Sequence, residues 1–340
     1  MNLRYEPKFS RSARVVQHLA KASELGAWIR QQTVDVSWIP KIQRDALVRL
    51  AHHSTRIEGN PLTLPEVEAL AAGKDIPVEE QSKREILNAF SGFRWIWKSG
   101  PRKVQEKSLL HLHQILTTGL LPQNEVGTYK TKQNAVFSKG KIIYKPPPPE
   151  AVGILTRSLL TWINSKQAEG EHPIIVGSIA HHRLVSIHPF MDGNGRISRA
   201  LESWIFYRRG FDTNHIFAID EFFDQDRPRY YKEIQDARDK GNDLTSWIEY
   251  VGEGIVETLK KTQIKIQRLR HKKPDQKLKL NRKQERVLEI LAETPRFGGR
   301  ELANALGLTR AGLSFILKPL LKAGLIVKEG STKTAQYKLG

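Results

Sequence analysis

Apolar positions recur near a 3.6-residue period along most of the chain, which predicts a mainly helical protein. Residues 12–31 place Val15, Val16, Leu19, Ala22, Leu25 and Ile29 on one stripe. Pro40 interrupts that pattern, and Ile42, Ala46, Leu47, Leu50 and Ile57 resume it. Thr63-Leu64-Pro65-Glu66 has the form of a capping box, with proline in the first turn where a missing N–H is harmless. Helical spacing continues over 85–97 and 107–116 and then stops. Residues 128–136 and 141–144, on either side of Lys139-Gly140, predict a small β-hairpin. Pro146 to Pro149 follow and predict an extended segment, after which helices return over 152–165 and 173–185.

Beyond about residue 261 the pattern changes. A basic connector containing Pro274 leads into three short amphipathic segments, 284–291, 299–306 and about 310–322. Two apolar stretches flanking a glycine-containing turn come next, 325–327 and 336–339. Three short helices and a hairpin predict a winged helix-turn-helix. Pro319 within the third helix predicts a kink or an early end. The expected organisation is an N-terminal helical region over 1–100, a core over 101–260, a basic linker over 261–280 and the winged module over 281–340.

Composition narrows the class. At 340 residues, with 39% hydrophobic and 27% charged positions, the chain has material for a globular core and is neither fibrous nor a disordered tail. No apolar run is long enough to span a bilayer, and the first residues lack a secretory h-region. With no cysteine, thiol nucleophiles and cysteine-ligated zinc are excluded. A cytoplasmic protein without a membrane partner is the expectation. The net charge is +19, and the residues from Lys260 onward carry 20 Lys/Arg against 6 Asp/Glu. That footprint suits DNA, although solvated helix faces would read the same way.

The chemistry concentrates in His188-Pro189-Phe190-Met191-Asp192-Gly193-Asn194-Gly195-Arg196-Ile197-Ser198-Arg199. Gly193 and Gly195 allow a tight backbone nest, and the spacing of Ile197, Leu201 and Ile205 starts a helix at that point. A glycine turn at a helix N-terminus binds anions through free amides and the helix dipole. Arg196 and Arg199, three apart, share a helix face and can fork onto one polyphosphate. Asp192 is a single carboxylate suited to Mg²⁺ held partly by phosphate oxygens, and His188 is a base for neutral pH. Singly, each residue fits a capped helix with surface arginines and a core histidine. Together they point to a magnesium-nucleotide transferase, and without a Gly-x-x-x-x-Gly-Lys-Ser/Thr stretch it is no P-loop enzyme.

This stretch resembles the Fic family motif, His-x-Phe-x-Asp/Glu-Gly-Asn-Gly-Arg-x-x-Arg, and matches all eight fixed positions. The resemblance implies a Fic-type helical bundle and a protein adenylyltransferase that moves AMP from ATP to a Ser, Thr or Tyr hydroxyl. It implies His188 as general base, Phe190 as anchor and Asp192 on Mg²⁺. Gly193, Asn194 and Gly195 become the anion hole, with Arg196 on the β-phosphate and Arg199 on the γ-phosphate. The hairpin at 128–144 resembles the family's flap, which docks a target segment as an added strand. Arg229-Tyr230-Tyr231 resembles its adenine-side tyrosines, with Tyr231 on the base.

Ser54-Thr55-Arg56-Ile57-Glu58-Gly59 fits the family's inhibitory pattern, which implies that Glu58 pairs with Arg199 and misaligns the phosphates of ATP. In the winged module, Thr309 is the expected N-cap, and Arg310, Ser314 and Lys318 share one face for DNA. Lys328, Lys333 and Lys338 are expected on the wing, with a protein-interaction or dimerisation module as the alternative. A homodimer, self-modification, removal of AMP, transfer of another phosphate-bearing group and a nucleotide-sensing DNA-binding regulator all remain compatible at this point.

Overall fold

The computed structural model describes residues 4–31, 39–99, 103–138, 140–212, 215, 218–271, 280–293, 296–330 and 335–339. The expected helices form. The N-terminal set is α1 (Ala13–Gln31), α2 (Ile39–Ile57), α3 (Leu64–Ala71), α4 (Glu80–Ser99) and α5 (Glu106–Thr117). The hairpin strands β1 (Val136–Ser138) and β2 (Lys141–Tyr144) come next, then α6 (Pro149–Ile163), α7 (Lys166–Glu169), α8 (Pro173–Ile187) and α9 (Asn194–Arg208). The bundle closes with α10 (Asp220–Gln225), α11 (Arg227–Asp239) and α12 (Thr245–His271).

The spine is α8, apolar on nearly every side and buried along almost its whole length. A helix hydrophobic all round can sit only at the centre, and α6, α9 and α12 enclose it. α2 packs on α4 and α10, so its C-terminal end is delivered to α9. The capping box opens α3 as expected: Glu66 Oε2 accepts from the Thr63 amide and hydroxyl, both at 2.7 Å.

Three expectations need correction. α2 begins at Ile39, so Pro40 lies in its first turn, where the ring replaces an amide without a partner. The first hairpin strand is only Val136–Ser138, and the segment from Thr128 reaches it as loop. There the backbone is used elsewhere, the Lys130 amide donating to the Pro189 carbonyl at 2.9 Å. Pro149 is the first residue of α6 rather than part of the extended segment, which suits its fixed φ.

The C-terminal module has its own core, built on Val287, Leu288, Leu302, Leu313, Leu317 and Leu320. It comprises α13 (Arg282–Glu293), β3 (Phe297–Gly298), α14 (Gly299–Ala305), α15 (Arg310–Lys322), β4 (Ile326–Glu329) and β5 (Gln336–Leu339). The strands pair antiparallel in the order β3-β5-β4, so a short strand missed by periodicity completes the wing. α15 runs through Pro319 to Lys322. Pro274 and Lys333 lie outside the described residues. No described helix is long and apolar enough to cross a membrane.

Candidate active site

The turn between α8 and α9 has the geometry the glycines and histidine demand. His188 ends α8 in a left-handed conformation (φ 51°), which swings the chain off the helix. Its Nδ1 lies 3.2 Å from the Val185 carbonyl. A carbonyl only accepts, so Nδ1 carries the proton and Nε2 keeps its lone pair. Burial, aided by the positive charges of Lys130 and Arg238, pushes the His188 imidazole down to about 4. The ring is therefore neutral at physiological pH, with Nε2 unprotonated.

Phe190 is fully buried and stacks on His113, ring centroids 3.7 Å apart. His113 accepts at Nδ1 from the Gly127 amide (3.1 Å) and donates from Nε2 to the Asp192 carbonyl (3.0 Å). It thereby ties α5, the loop before the flap and the motif together. Nothing in the sequence marked it, since a lone histidine on an apolar helix face carries no motif. Asn194 is also a fastener: its amide group donates to the Phe190 carbonyl (2.9 Å) and accepts from the Phe190 N–H (3.0 Å). Of the expected anion hole, Asn194 can therefore offer only its backbone N–H.

That amide and those of Gly195 and Arg196 open α9, where no preceding turn can use them. Gly193 needs its lack of side chain: φ is +79°, and a Cβ would meet Thr117 at 3.0 Å. Asp192 accepts from the Gly193 amide (2.6 Å) and from Arg196 Nη2 (3.1 Å), yet its side chain is 64% exposed. Arg196 is buried, and its Nε and Nη1 have no hydrogen-bond acceptor. With only Glu85 Oε1 near Nη1, at 3.7 Å, buried guanidinium donors without a hydrogen bond lie beside an amide nest and suit an anion.

Arg199 is fully buried and saturated. Nη2 donates to Glu58 Oε1 (2.7 Å) and to the Ser54 carbonyl (2.8 Å), and Nε faces Ser54 Oγ and Asp220 Oδ1, both at 3.1 Å. Burial opposes its charge, but Glu58, Tyr230 and Asp220 hold the guanidinium above its ordinary range. Glu58 does more than pair. A Cβ on Gly195 would lie 2.1 Å from Glu58 Oε1, so the carboxylate sits directly over the helix N-terminus.

Tyr231 donates to the Ile57 carbonyl (3.1 Å) and is 44% exposed, which places it against the end of α2. Tyr230 is buried, with its hydroxyl 2.9 Å from His181 Nε2, and His181 Nδ1 is 2.8 Å from Glu202. Burial raises the Glu202 carboxyl to about 8 and lowers His181 to about 3. The chain behind Arg199 is thus a protonated acid donating to a neutral imidazole. Asp220, Glu202 and His181 escaped the sequence reading because single acids and histidines have no local signature.

Lys130 is another such residue. It is 3% exposed, donates to Asn134 Oδ1 (2.7 Å), and Asn134 in turn donates to the Phe190 carbonyl (2.9 Å). The hairpin is anchored beside the base by Tyr144, whose hydroxyl donates to the Ser186 carbonyl (2.7 Å) under the Arg238 guanidinium. Outward it exposes Phe137 and Ile142.

In the winged module, Thr309 caps α15 by accepting from the Gly312 amide (3.2 Å). Arg310, Ser314 and Lys318 are exposed on that helix as expected, beside an exposed Phe315.

Comparison with known proteins agrees with this geometry. The Fic/DOC family profile matches residues 103–206, which hold the flap and the whole motif. Residues 103–206 are thus similar to the Fic/DOC family. A winged helix-turn-helix DNA-binding profile matches residues 280–327. The protein adenylyltransferase Fic of Aedes aegypti is 29% identical over 260 residues, 73% of this chain and 49% of that protein. The Drosophila mojavensis protein of the same name is 29% identical over 228 residues, 66% of this chain and 42% of its own length. The chain therefore spans about half the length of the curated relatives it matches. A crystallised Fic family protein from Desulfovibrio desulfuricans shares the fold over 99% of this chain and 98% of its own (TM-score 0.70, 24% identity). Fic-1 of C. elegans covers 76% of this chain and 74% of its own with TM-score 0.65 and 22% identity.

Proposed function

We propose that the protein is a protein adenylyltransferase held off by Glu58. The observation that carries this is the convergence on one helix N-terminus of a neutral imidazole, open amides and buried arginine donors, with a carboxylate laid across them. In the reaction, His188 Nε2 takes the proton of a target hydroxyl while the oxygen attacks the α-phosphorus of ATP. The new O–P bond forms as the bond to the β-phosphate oxygen breaks, and pyrophosphate leaves. The amides of 194–196 stabilise the charge on the transferred phosphate, and Arg196 and Arg199 take the departing phosphates.

The residues fit Mg²⁺. Asp192 is exposed beside the nest, and among the described residues no three His, Asp or Glu side chains cluster. One protein carboxylate with phosphate oxygens and water is how this ion is commonly held, and it would neutralise phosphate charge there. Tyr231 is the candidate for the adenine side once α2 moves. A target segment would add to the hairpin beside Phe137 and Ile142, and Arg310, Ser314 and Lys318 would face DNA.

The test is mass spectrometry of the Glu58→Gly protein after exposure to ATP and magnesium. Gain of one adenylyl group, abolished by His188→Ala while ATP binding persists, is expected. Full incorporation in the His188→Ala background would overturn the mechanism.

A further inference from the structure

On the face of α2 turned away from Arg199 lies a cavity of about 680 Å³. Its wall is formed by Arg49, His52 and Arg56 of α2, by the segment starting at Gly59, and by Glu221 and Arg227 across from them. Glu58 thus sits between two residues of that wall.

The charges around it are unevenly matched. Arg49 is engaged by Asp45 (3.2 Å) and Glu221 (3.1 Å). Arg56 and Arg227 share a single buried carboxylate, Asp224, at 3.4 and 3.7 Å, while His53 takes its short contact at 2.8 Å. Both arginine side chains are nearly half exposed, at 49% and 40%. His52 is buried; its Nε2–H donates to the Leu62 carbonyl (3.1 Å), and its Nδ1 is an acceptor without a donor. Two under-committed guanidinium groups define a ligand with an anionic head.

We propose that this cavity binds a small phosphomonoester, its dianion on Arg56 and Arg227, and that binding releases Glu58. The link is Arg227. Its Nη1 donates to the Arg56 carbonyl at 2.8 Å, which also accepts from the Gly59 amide at 3.0 Å, so Arg227 braces the last turn of α2 two residues before Glu58. A phosphate that recruits Arg227 removes one of that carbonyl's two donors and loosens the turn that aims Glu58 at Arg199. The release rests on the adenylyltransferase reading, whereas the binding does not.

Glycerol 3-phosphate is the probe, titrated calorimetrically into the full chain. Millimolar binding is expected, weakened about tenfold by Arg56→Gln, as for loss of one charge-assisted hydrogen bond. Arg196→Gln, which alters the nucleotide side, should leave binding unchanged. No binding in the millimolar range, or loss of binding in Arg196→Gln instead, overturns the site. Incorporation of labelled AMP by the unmodified chain should rise with the probe and not rise in Arg56→Gln. An equal rise in Glu58→Gly overturns the release, because there is then no brake to lift. Absence of AMP transfer in every variant condemns the enzyme reading while calorimetry still decides the site.

Discussion

Replacing Glu58 by glycine tests the brake most directly. Arg199 loses one charge-assisted hydrogen bond of 2.7 Å. Such a bond contributes about 1.5–3 kcal/mol. Glu58 is a third exposed, and solvent screening reduces that to about 1–2 kcal/mol. If the pair holds the off state, the variant shifts toward the competent state about 5- to 30-fold. On the proposed mechanism a steric gain adds to this, since the Glu58 carboxylate lies over Gly195, where the phosphate would bind. Arg199 keeps Asp220 and Ser54, so the fold should lose only about 1 kcal/mol rather than the 3–5 kcal/mol of an orphaned buried charge. Glu58→Gln separates the two effects: it fills the same space and still accepts from Arg199, but without charge. Intermediate activity there means that charge matters, and wild-type-like repression means that occupancy does. The assay is incorporation of labelled AMP from ATP with magnesium, alongside thermal unfolding. Equal incorporation by wild type and Glu58→Gly, with both folded, refutes the reasoning.

Further outcomes follow from the buried groups and from the basic module. His188 falls from 6.5 to about 4, so its base form survives acidification and is lost only as pH drops through about 4. The acidic limb of kcat/KM should lie there, and Lys130→Met, which removes a neighbouring cation, should move it upward; a limb near 6.5 in the wild type contradicts the assignment. Glu202 is raised from 4.5 to about 8, so the folded chain keeps a proton that the unfolded chain gives up near 4.5. That group's stability contribution is therefore lost as pH rises through about 8. Glu202→Gln mimics the protonated acid toward His181, and its Tm should stay level between about pH 6.5 and 8 while that of the wild type declines. Gel-shift binding to duplex DNA should weaken steeply with salt, and Arg310→Ala with Lys318→Ala should reduce the salt slope by about 2; no binding at low salt counts against DNA as the partner.

What could be read ahead of the structure was whatever repeats locally. The stripe through Val15, Leu25 and Ile29 and the capping box at Thr63 and Glu66 encode their elements within a few residues, and both formed. The motif from His188 to Arg199 is likewise local, so its nest and its base were visible as residue types in order. Residues that act across the chain left no such trace. His113 stacks on Phe190 from 77 positions away, and Asp220 meets Arg199 only because α10 packs against α2. For Asn194, inside the motif, order alone leaves open whether the amide side chain faces a ligand or staples its own turn, and the structure shows the staple. The brake lies between these cases. Glu58 was visible through its short pattern, but its reach to Arg199 depends on α2 lying against α9, and the closeness to Gly195 depends on a missing side chain. On the proposed reading one glycine would serve two exclusive guests, the carboxylate of Glu58 and the phosphate that replaces it. Any side chain at position 195 would crowd Glu58, so if Glu58 is a brake, its relief is expected from displacing Glu58 or the end of α2 rather than from reshaping the nest.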